Sequence, residues 1–179
     1  MRPVLARSAG VSVALALGAA VVPAYAAQPV VVAVDGTLCD LTKTLAAGAA
    51  SVTCLIPPGG DPHSYRLKPS DRGQIAKSDL VLHIGFGLTP SAKKLQSPGT
   101  VVAVGEVALP SYGGSDPHVW HDPANSAAMV RVISRSLAPV LPASDRAALQ
   151  QRTASAVAVF KALQSWEAKQ FSSLPPAQR

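Results

Sequence analysis

Histidine and aspartate recur together in two short segments of this sequence. The first is GDPHSYR at 60–66 and the second is SDPHVWHDP at 115–123, so Asp-Pro-His ends at His63 and again at His118. Neutral imidazole is a good ligand for zinc and other late first-row divalent ions. Two exposed loop histidines, with the Asp-Pro pairs acting only as turn formers, would give the same pattern. The residues alone leave both interpretations open.

Four apolar segments predict the strands that carry these motifs: PVVVAV (29–34), SVTCLIP (51–57), LVLHIGFG (80–87) and TVVAVG (100–105). Short helical patterns alternate with them, one at 40–48 and one capped by Ser70. Such alternation indicates a parallel α/β sheet, whose ligands sit at the carboxyl ends of the strands. His63 follows the second strand and His118 follows the fourth. Both motifs therefore lie on loops of the predicted binding edge.

Two helices are predicted after the second motif. Asp122 and Pro123 form a good helix start, and Pro139 ends that helix. From Ser144 a second helix runs for up to 31 residues, about 45 Å. It carries apolar residues that need something to pack on, and one lobe is not expected to cover them all: Leu149, Val157, Phe160, Leu163 and Trp166. We therefore divide the chain into a lobe at 27–142 and a long helix with the C-terminus at 143–179.

The N-terminal 26 residues have the pattern of a signal peptide. Arg2 and Arg7 precede the apolar run VSVALALGAAVV, and Ala24 and Ala26 form a small-x-small cleavage signal. Twelve apolar residues span only about 18 Å as a helix, which is too short for a bilayer core, although a short membrane anchor is the alternative. Since no cysteine lies near the cleavage point, a lipid anchor is not supported. We expect export to the periplasm with cleavage near Ala26.

The charged residues give no sign of a nucleic-acid partner. The formal charge of +6 falls to +4 once Arg2 and Arg7 are removed with the signal peptide. The remaining basic residues are scattered, and Lys93-Lys94 is their only adjacent pair, whereas nucleic-acid binders concentrate them on one face. We interpret these charges as an ordinary solvated surface.

Cys39 and Cys54 are the only cysteines, and two cysteines in an exported chain favour a disulfide. Closing a loop of about 15 residues would stabilise the fold by about 3 kcal/mol on the chain-entropy model. Two buried thiols are the alternative. Metal ligation by these cysteines is disfavoured because no CxxC spacing is present.

Long ordered segments of this chain resemble the zinc/manganese solute-binding proteins of bacterial ABC importers. They are CLIPPGGDPHSYRLKPSDRGQIAKSDLVLHIGFGLTP and DPHVWHDPANSAAMVRVISRSLAPVLPASDR. In that family, two α/β lobes are joined by one long rigid helix, and the metal sits in the cleft between the lobes. The resemblance runs from about residue 30 to the end of the chain. It implies a Rossmann-like lobe with a parallel sheet, followed by the long helix.

The resemblance implies that His63 and His118 are the metal ligands that the first lobe supplies. Proline stiffens each turn, so the ring is aimed before the metal arrives and less entropy is lost on binding. His121, three residues after His118, is a candidate third ligand at a position that is usually apolar in the family. The alternatives for His121 are a place beside the site or at the surface, because Asp122 starts a helix there.

Two other residues depart from what a metal site would favour. His83 lies in a strand of apolar neighbours, where a histidine is usually a satisfied core or edge residue. Arg66 stands where the family commonly has an acid, so it either repels a cation or reaches into solvent.

The chain ends at SSLPPAQR, where the family would enter its second lobe with two further ligands. We therefore expect a truncated form in which two imidazoles make half a site and water fills the vacant positions. A dimer through the exposed long helix would pool both histidines from each copy. The choice between Zn2+ and Mn2+ is left open, because histidine-rich sites favour zinc and added carboxylates favour manganese.

Three functions follow as hypotheses. The resemblance implies the periplasmic substrate-binding component of an ABC transporter, which passes the metal to a membrane permease. A metal-buffering or degenerate fragment without transport function is the alternative. A zinc metalloenzyme is disfavoured, because Glu106 and Glu167 are the only glutamates and neither lies in a His-Glu-x-x-His motif.

Overall fold

The computed structural model describes residues 27–175, and the predicted signal peptide lies outside them. Within this range the sheet has four strands: β1 (Val30–Ala33), β2 (Ser51–Cys54), β3 (Leu80–His83) and β4 (Thr100–Ala103). Their spatial order is β2-β1-β3-β4, and every neighbouring pair is parallel. The predicted α/β fold with a parallel sheet is confirmed.

Five helices connect or follow these strands in the described range: α1 (Gly36–Ala46), α2 (Pro69–Ile75), α3 (Val104–Ala108), α4 (Pro123–Leu137) and α5 (Arg146–Ser172). Asp122 caps α4 as expected, since its carboxylate accepts the N–H of Ala124 at 2.7 Å. Ser70 does not cap α2. That helix begins at Pro69, two residues earlier than a Ser70 cap implies, with Lys68 at the N-cap position, where the Asp71 carboxylate accepts the N–H of Lys68 at 2.8 Å.

Apolar side chains cover both faces of the sheet, as a parallel sheet requires. The larger core joins one face to α1, α4 and the first half of α5, and its fully buried members include Val31, Leu38, Leu45, Leu80, Leu82, Met129, Ile133, Leu137 and Leu149. The smaller core lies on the other face, around Val32, Val34, Leu55, Ile56, Ile75, Val81 and Ala92. The central strands β1 and β3 are therefore fixed from both sides.

The long helix α5 packs on the lobe mainly through its first half. Leu149 and Val157 are buried, and the Arg152 guanidinium donates to the carbonyl of Leu45 at the end of α1, at 2.6 Å. Further along, four apolar side chains are 40–66 % exposed: Val159, Leu163, Trp166 and Phe171. As expected from the sequence, the lobe covers only some of the apolar side chains of this helix. Among residues 27–175, none of the helices combines the length and the hydrophobicity that a bilayer-spanning segment needs.

A disulfide joins Cys39 in α1 to Cys54 at the end of β2, with the two Cα atoms 5.6 Å apart. Of the two states that the sequence allowed, the structure therefore has the bonded one. The bond ties α1 to the strand that leads into the first Asp-Pro-His motif. The division of the chain at residues 142 and 143 stays a prediction.

Removing this disulfide is expected to destabilise the protein. For the double variant Cys39→Ala/Cys54→Ala we expect a loss of about 3 kcal/mol in the free energy of unfolding, because the bond closes a 15-residue loop in the unfolded chain. Urea unfolding of the variant, and of the wild-type protein with and without a reductant, measures this loss. Equal urea midpoints for oxidised and reduced wild type would contradict it.

Candidate metal centre

The two Asp-Pro-His segments form the same turn. In each, the aspartate Oδ1 accepts the backbone N–H of the histidine two residues later, at 2.9 Å from Asp61 to His63 and at 2.9 Å from Asp116 to His118. The proline between them fixes φ at about −65°. Each histidine is therefore held by a hydrogen-bonded turn with a restricted backbone.

The strand order explains why both turns stand on long loops. The loop with His63 leaves β2 and the chain toward His118 leaves β4, and these are the two edge strands of the sheet. Three inter-strand spacings separate them, about 14 Å. Each loop must therefore reach inward over the carboxyl ends of β1 and β3 before the two histidines can approach each other.

The imidazole rings of His63 and His118 are in contact. Nε2 of His63 lies 3.0 Å from Nε2 of His118, and the ring centroids are 5.0 Å apart with the planes tilted by 60°. Two nitrogens bound to one zinc ion at about 2.0–2.1 Å, at a tetrahedral angle, would lie about 3.3 Å apart. The observed separation is within a few tenths of an ångström of that value, so the donor pair fits a single divalent ion.

Asp116 also contacts the imidazole of His118. Its Oδ1 lies 2.6 Å from Nδ1 of that ring. Hydrogen bonds from the backbone N–H and then from the ring of His118 lower the pKa of Asp116, so it is a carboxylate at neutral pH. A carboxylate accepts but does not donate, so Nδ1 carries the proton; in the neutral form of the ring, the Nε2 lone pair then faces His63. This tautomer leaves Nε2 available to bind a metal ion.

The turn at Asp61 is stabilised in a similar way. A hydrogen bond from the Ser64 side chain, followed by the backbone N–H of His63, lowers the pKa of Asp61. Both aspartates therefore present negative charge beside the histidine pair, which favours a cation there.

His121 stands beside this pair. Its ring centroid lies 6.3 Å from that of His118 and 5.4 Å from that of Trp120, and the side chain is exposed. In residues 27–175, no group of three or more His, Cys, Asp or Glu side chains is placed to hold a metal ion. Ligation by His121 stays a prediction.

The other two residues singled out from the sequence are His83 and Arg66. His83 is half-buried at the end of β3, and desolvation lowers its pKa against a smaller opposing effect of Glu106. The structural role of His83 stays a prediction. Arg66 is exposed, three residues beyond His63.

A small cavity next to the histidine loops contains a buried carboxyl group that the sequence analysis missed. The cavity has a volume of about 190 Å³, and its walls include Asp35, Pro62, Leu88 and Trp120. Asp35 is 5 % exposed, its Oδ1 accepts the N–H of Leu38 at the start of α1, and its Oδ2 has no hydrogen-bond partner among the described residues. Burial raises its pKa to about 6. The available signal was an aspartate directly after a fully apolar strand.

The parallel α/β lobe thus presents two turn-held imidazoles at its carboxyl edge, an arrangement that can offer two nitrogen ligands to a metal ion. The family model for the periplasmic component A of the zinc-uptake complex (ZnuA) matches residues 31–179. This chain therefore belongs to that family. Its members are metal-binding transport receptors and not enzymes.

The names of individual relatives also describe metal-binding proteins. The zinc-binding protein TroA of Treponema pallidum is 31 % identical over 162 residues, which cover 85 % of this chain and 52 % of TroA. The manganese-binding lipoprotein MntA of Halalkalibacterium halodurans is 32 % identical over 148 residues, covering 78 % of this chain and 49 % of MntA. The solved structure of the periplasmic TroA superposes with a TM-score of 0.75 at 28 % identity, over 83 % of this chain and 57 % of that one. This chain thus spans about half the length of the curated relatives it matches.

The raised pKa of Asp35 predicts a pH-dependent stability. Between its ordinary pKa of 3.8 and about 6, the folded protein keeps a proton that the unfolded chain releases. The stability from this group is therefore complete below about pH 4 and is lost as the pH rises through 6, by roughly 2–3 kcal/mol. Asp35→Asn keeps the Oδ1 acceptor for Leu38 and stays neutral, so its unfolding free energy should gain that much over wild type between pH 4 and 7.5.

Urea unfolding at four pH values across this range measures the difference. Asp40→Asn, at an exposed carboxylate of the same helix, is the matched control. If wild type and Asp35→Asn keep a constant difference in stability across the range, Asp35 does not titrate as described.

Proposed function

We propose that this chain is the substrate-binding component of an importer for divalent transition metals and that His63 and His118 hold the metal. The observation that supports this most directly is the 3.0 Å approach of the two Nε2 atoms at the carboxyl edge of the sheet. Each ring is oriented by an aspartate turn, and in His118 the Nδ1–Asp116 contact leaves the Nε2 lone pair free for an ion. The metal is the cargo of such a protein.

Zn2+ and Mn2+ are both proposed as cargo, since the names of TroA and MntA describe a zinc-binding and a manganese-binding protein. Imidazole suits zinc, whereas manganese prefers carboxylate and water oxygens. The described residues contribute two imidazoles, and water or groups outside this range would complete the coordination.

Export and delivery belong to the same proposal. The family description is that of a periplasmic protein, and MntA is named a lipoprotein, which supports a protein that leaves the cytoplasm. Cleavage of the signal peptide near Ala26 and release of the ion to a membrane permease complete the pathway that we propose.

A dimer of this chain is a further part of the proposal. The exposed apolar side chains of α5 supply a surface that a second copy could cover, and two copies facing each other would bring four imidazoles to one ion. Four nitrogen ligands would complete a tetrahedral zinc site. The dimer predicts one tightly held ion for every two chains.

Zinc titration of the purified chain tests the site. Two imidazoles are expected to bind with a Kd of roughly 1–200 µM, since they supply about half of the 10–16 kcal/mol of a complete zinc site. His63→Ala and His118→Ala should each weaken binding by about 100-fold, while His83→Asn is the matched histidine control. His121→Ala weakens binding by more than tenfold only if His121 is a ligand.

Calorimetry gives the affinity, and sedimentation in the same buffer gives the mass. Nanomolar binding by a monomer with one ion per chain would contradict the two-imidazole site. Nanomolar binding with one ion per two chains would support the dimer.

Metal buffering is the second candidate function, because the described residues offer two ligands and not a closed set of four. A growth experiment distinguishes metal transport from metal buffering. In a bacterium that lacks its own zinc-binding receptor, we expect this gene to restore growth in zinc-depleted medium at least severalfold, but not when the permease is deleted or when His63 and His118 are both alanine. A buffer would give no permease-dependent rescue.

A further inference from the structure

The loop after β3 has an unusual backbone. Three successive residues have positive φ angles: Gly85 at +89°, Phe86 at +50° and Gly87 at +73°. Phenylalanine rarely adopts this conformation, so something must hold it there. The backbone N–H of Phe86 donates to Oε1 of Glu106 in α3, at 2.6 Å. A side chain at position 85 would meet that carboxylate at 2.7 Å, so the loop and Glu106 fit closely against each other.

Phe86 in turn contacts Tyr112, on the loop that leads to the second Asp-Pro-His motif. Their ring centroids are 5.0 Å apart with the planes tilted by 60°. The chain folds closely over the tyrosine, because a Cβ at Gly114 would lie 2.5 Å from its Cζ and hydroxyl oxygen. The aromatic contact therefore fixes the path of residues 112–115.

Tyr112 reaches the metal-binding turn directly. Its hydroxyl donates to the backbone carbonyl of Asp116 at 2.9 Å. Asp116 is exposed, and its Oδ1 contacts both the backbone N–H and the Nδ1 of His118. The orientation of the His118 ring therefore depends on the position of Asp116. Tyr112 fixes that position through its hydrogen bond to the Asp116 carbonyl.

We propose that Glu106 and Tyr112 are positioning residues for His118, acting through Phe86 and Asp116. Glu106 holds the strained Phe86 backbone, the Phe86 ring supports Tyr112, and Tyr112 fixes the aspartate that orients the imidazole. This inference rests on the proposed role of His118 as a metal ligand. In this proposal neither Glu106 nor Tyr112 is itself a ligand of the ion.

The test compares four variants with wild type in zinc titration: Tyr112→Phe, Glu106→Ala, Glu106→Gln and Val107→Ala. Loss of a partner that orients a ligand directly costs about 10–100-fold in affinity, so we expect Tyr112→Phe, one step further, to weaken binding by about 3–10-fold, and Glu106→Ala, which acts through Phe86 and Tyr112, to weaken it by about threefold. Glu106→Gln keeps an oxygen that accepts from Phe86 and should stay within about twofold. Val107→Ala, at an exposed neighbour in α3, should leave the affinity unchanged.

A spectroscopic measurement on the metal-free protein complements the titration. The 15N shifts of the His118 ring report which nitrogen carries the proton, and Tyr112→Phe and Glu106→Ala should reduce the Nδ1–H tautomer, while Glu106→Gln restores it. Thermal melting tests whether each variant is folded. An unfolded Glu106→Ala would leave Tyr112→Phe as the deciding variant.

The outcomes separate the two proposals. If wild type binds zinc and both Tyr112→Phe and Glu106→Ala bind equally well, the positioning role is overturned while the metal site stands. If wild type binds no zinc, the proposed function fails, and the tautomer shifts still decide whether Glu106 and Tyr112 orient His118. Equal tautomer populations in all variants would overturn the positioning role in that case.

Discussion

The approach of two imidazole rings depends on the aspartate that precedes each histidine by two residues. Each carboxylate accepts the backbone N–H of its histidine, so each turn closes on itself and aims one ring. Asp116 also contacts the Nδ1 atom of His118. Two neutral imidazoles can face each other at 3.0 Å only when one nitrogen presents a lone pair, and this contact leaves that lone pair on Nε2. Under the proposed function, an ion that displaced the proton between the two rings would find one ligand already oriented.

The width of the sheet sets the distance that the two histidine loops must cross. The strand order β2-β1-β3-β4 places the sources of the two loops at opposite edges, and the central strands carry the shared core. The histidines can therefore be brought together only because the central strands are rigid and the two loops are long enough to reach across them. The disulfide holds α1 to the end of β2, where the first loop begins. The second loop has no such bond among the described residues and relies on Tyr112 and its contacts.

Much of this architecture is predictable from the sequence. All four strands lie inside the predicted apolar segments, although each ends up to four residues earlier, because apolar residues continue into the loops that line the core. Asp122-Pro123 correctly marks the start of α4, since its capping chemistry is local. The strand order, helix α3 and the roles of Asp35 and Tyr112 were not predictable. They depend on contacts between residues distant in sequence, such as the one that brings Glu106 to Phe86.

Helix α5 has a consequence for the mobility of this protein. It is one continuous 27-residue helix, yet its buried side chains, Leu149 and Val157, lie in its first half, while the apolar residues of its second half are largely exposed. Tertiary packing, more than intrinsic propensity, keeps a helix of this kind folded. Amide protons along a single uninterrupted helix should therefore exchange with solvent at graded rates, slowly near Leu149 and fast toward Phe171. A partner that covers the far half would flatten that gradient.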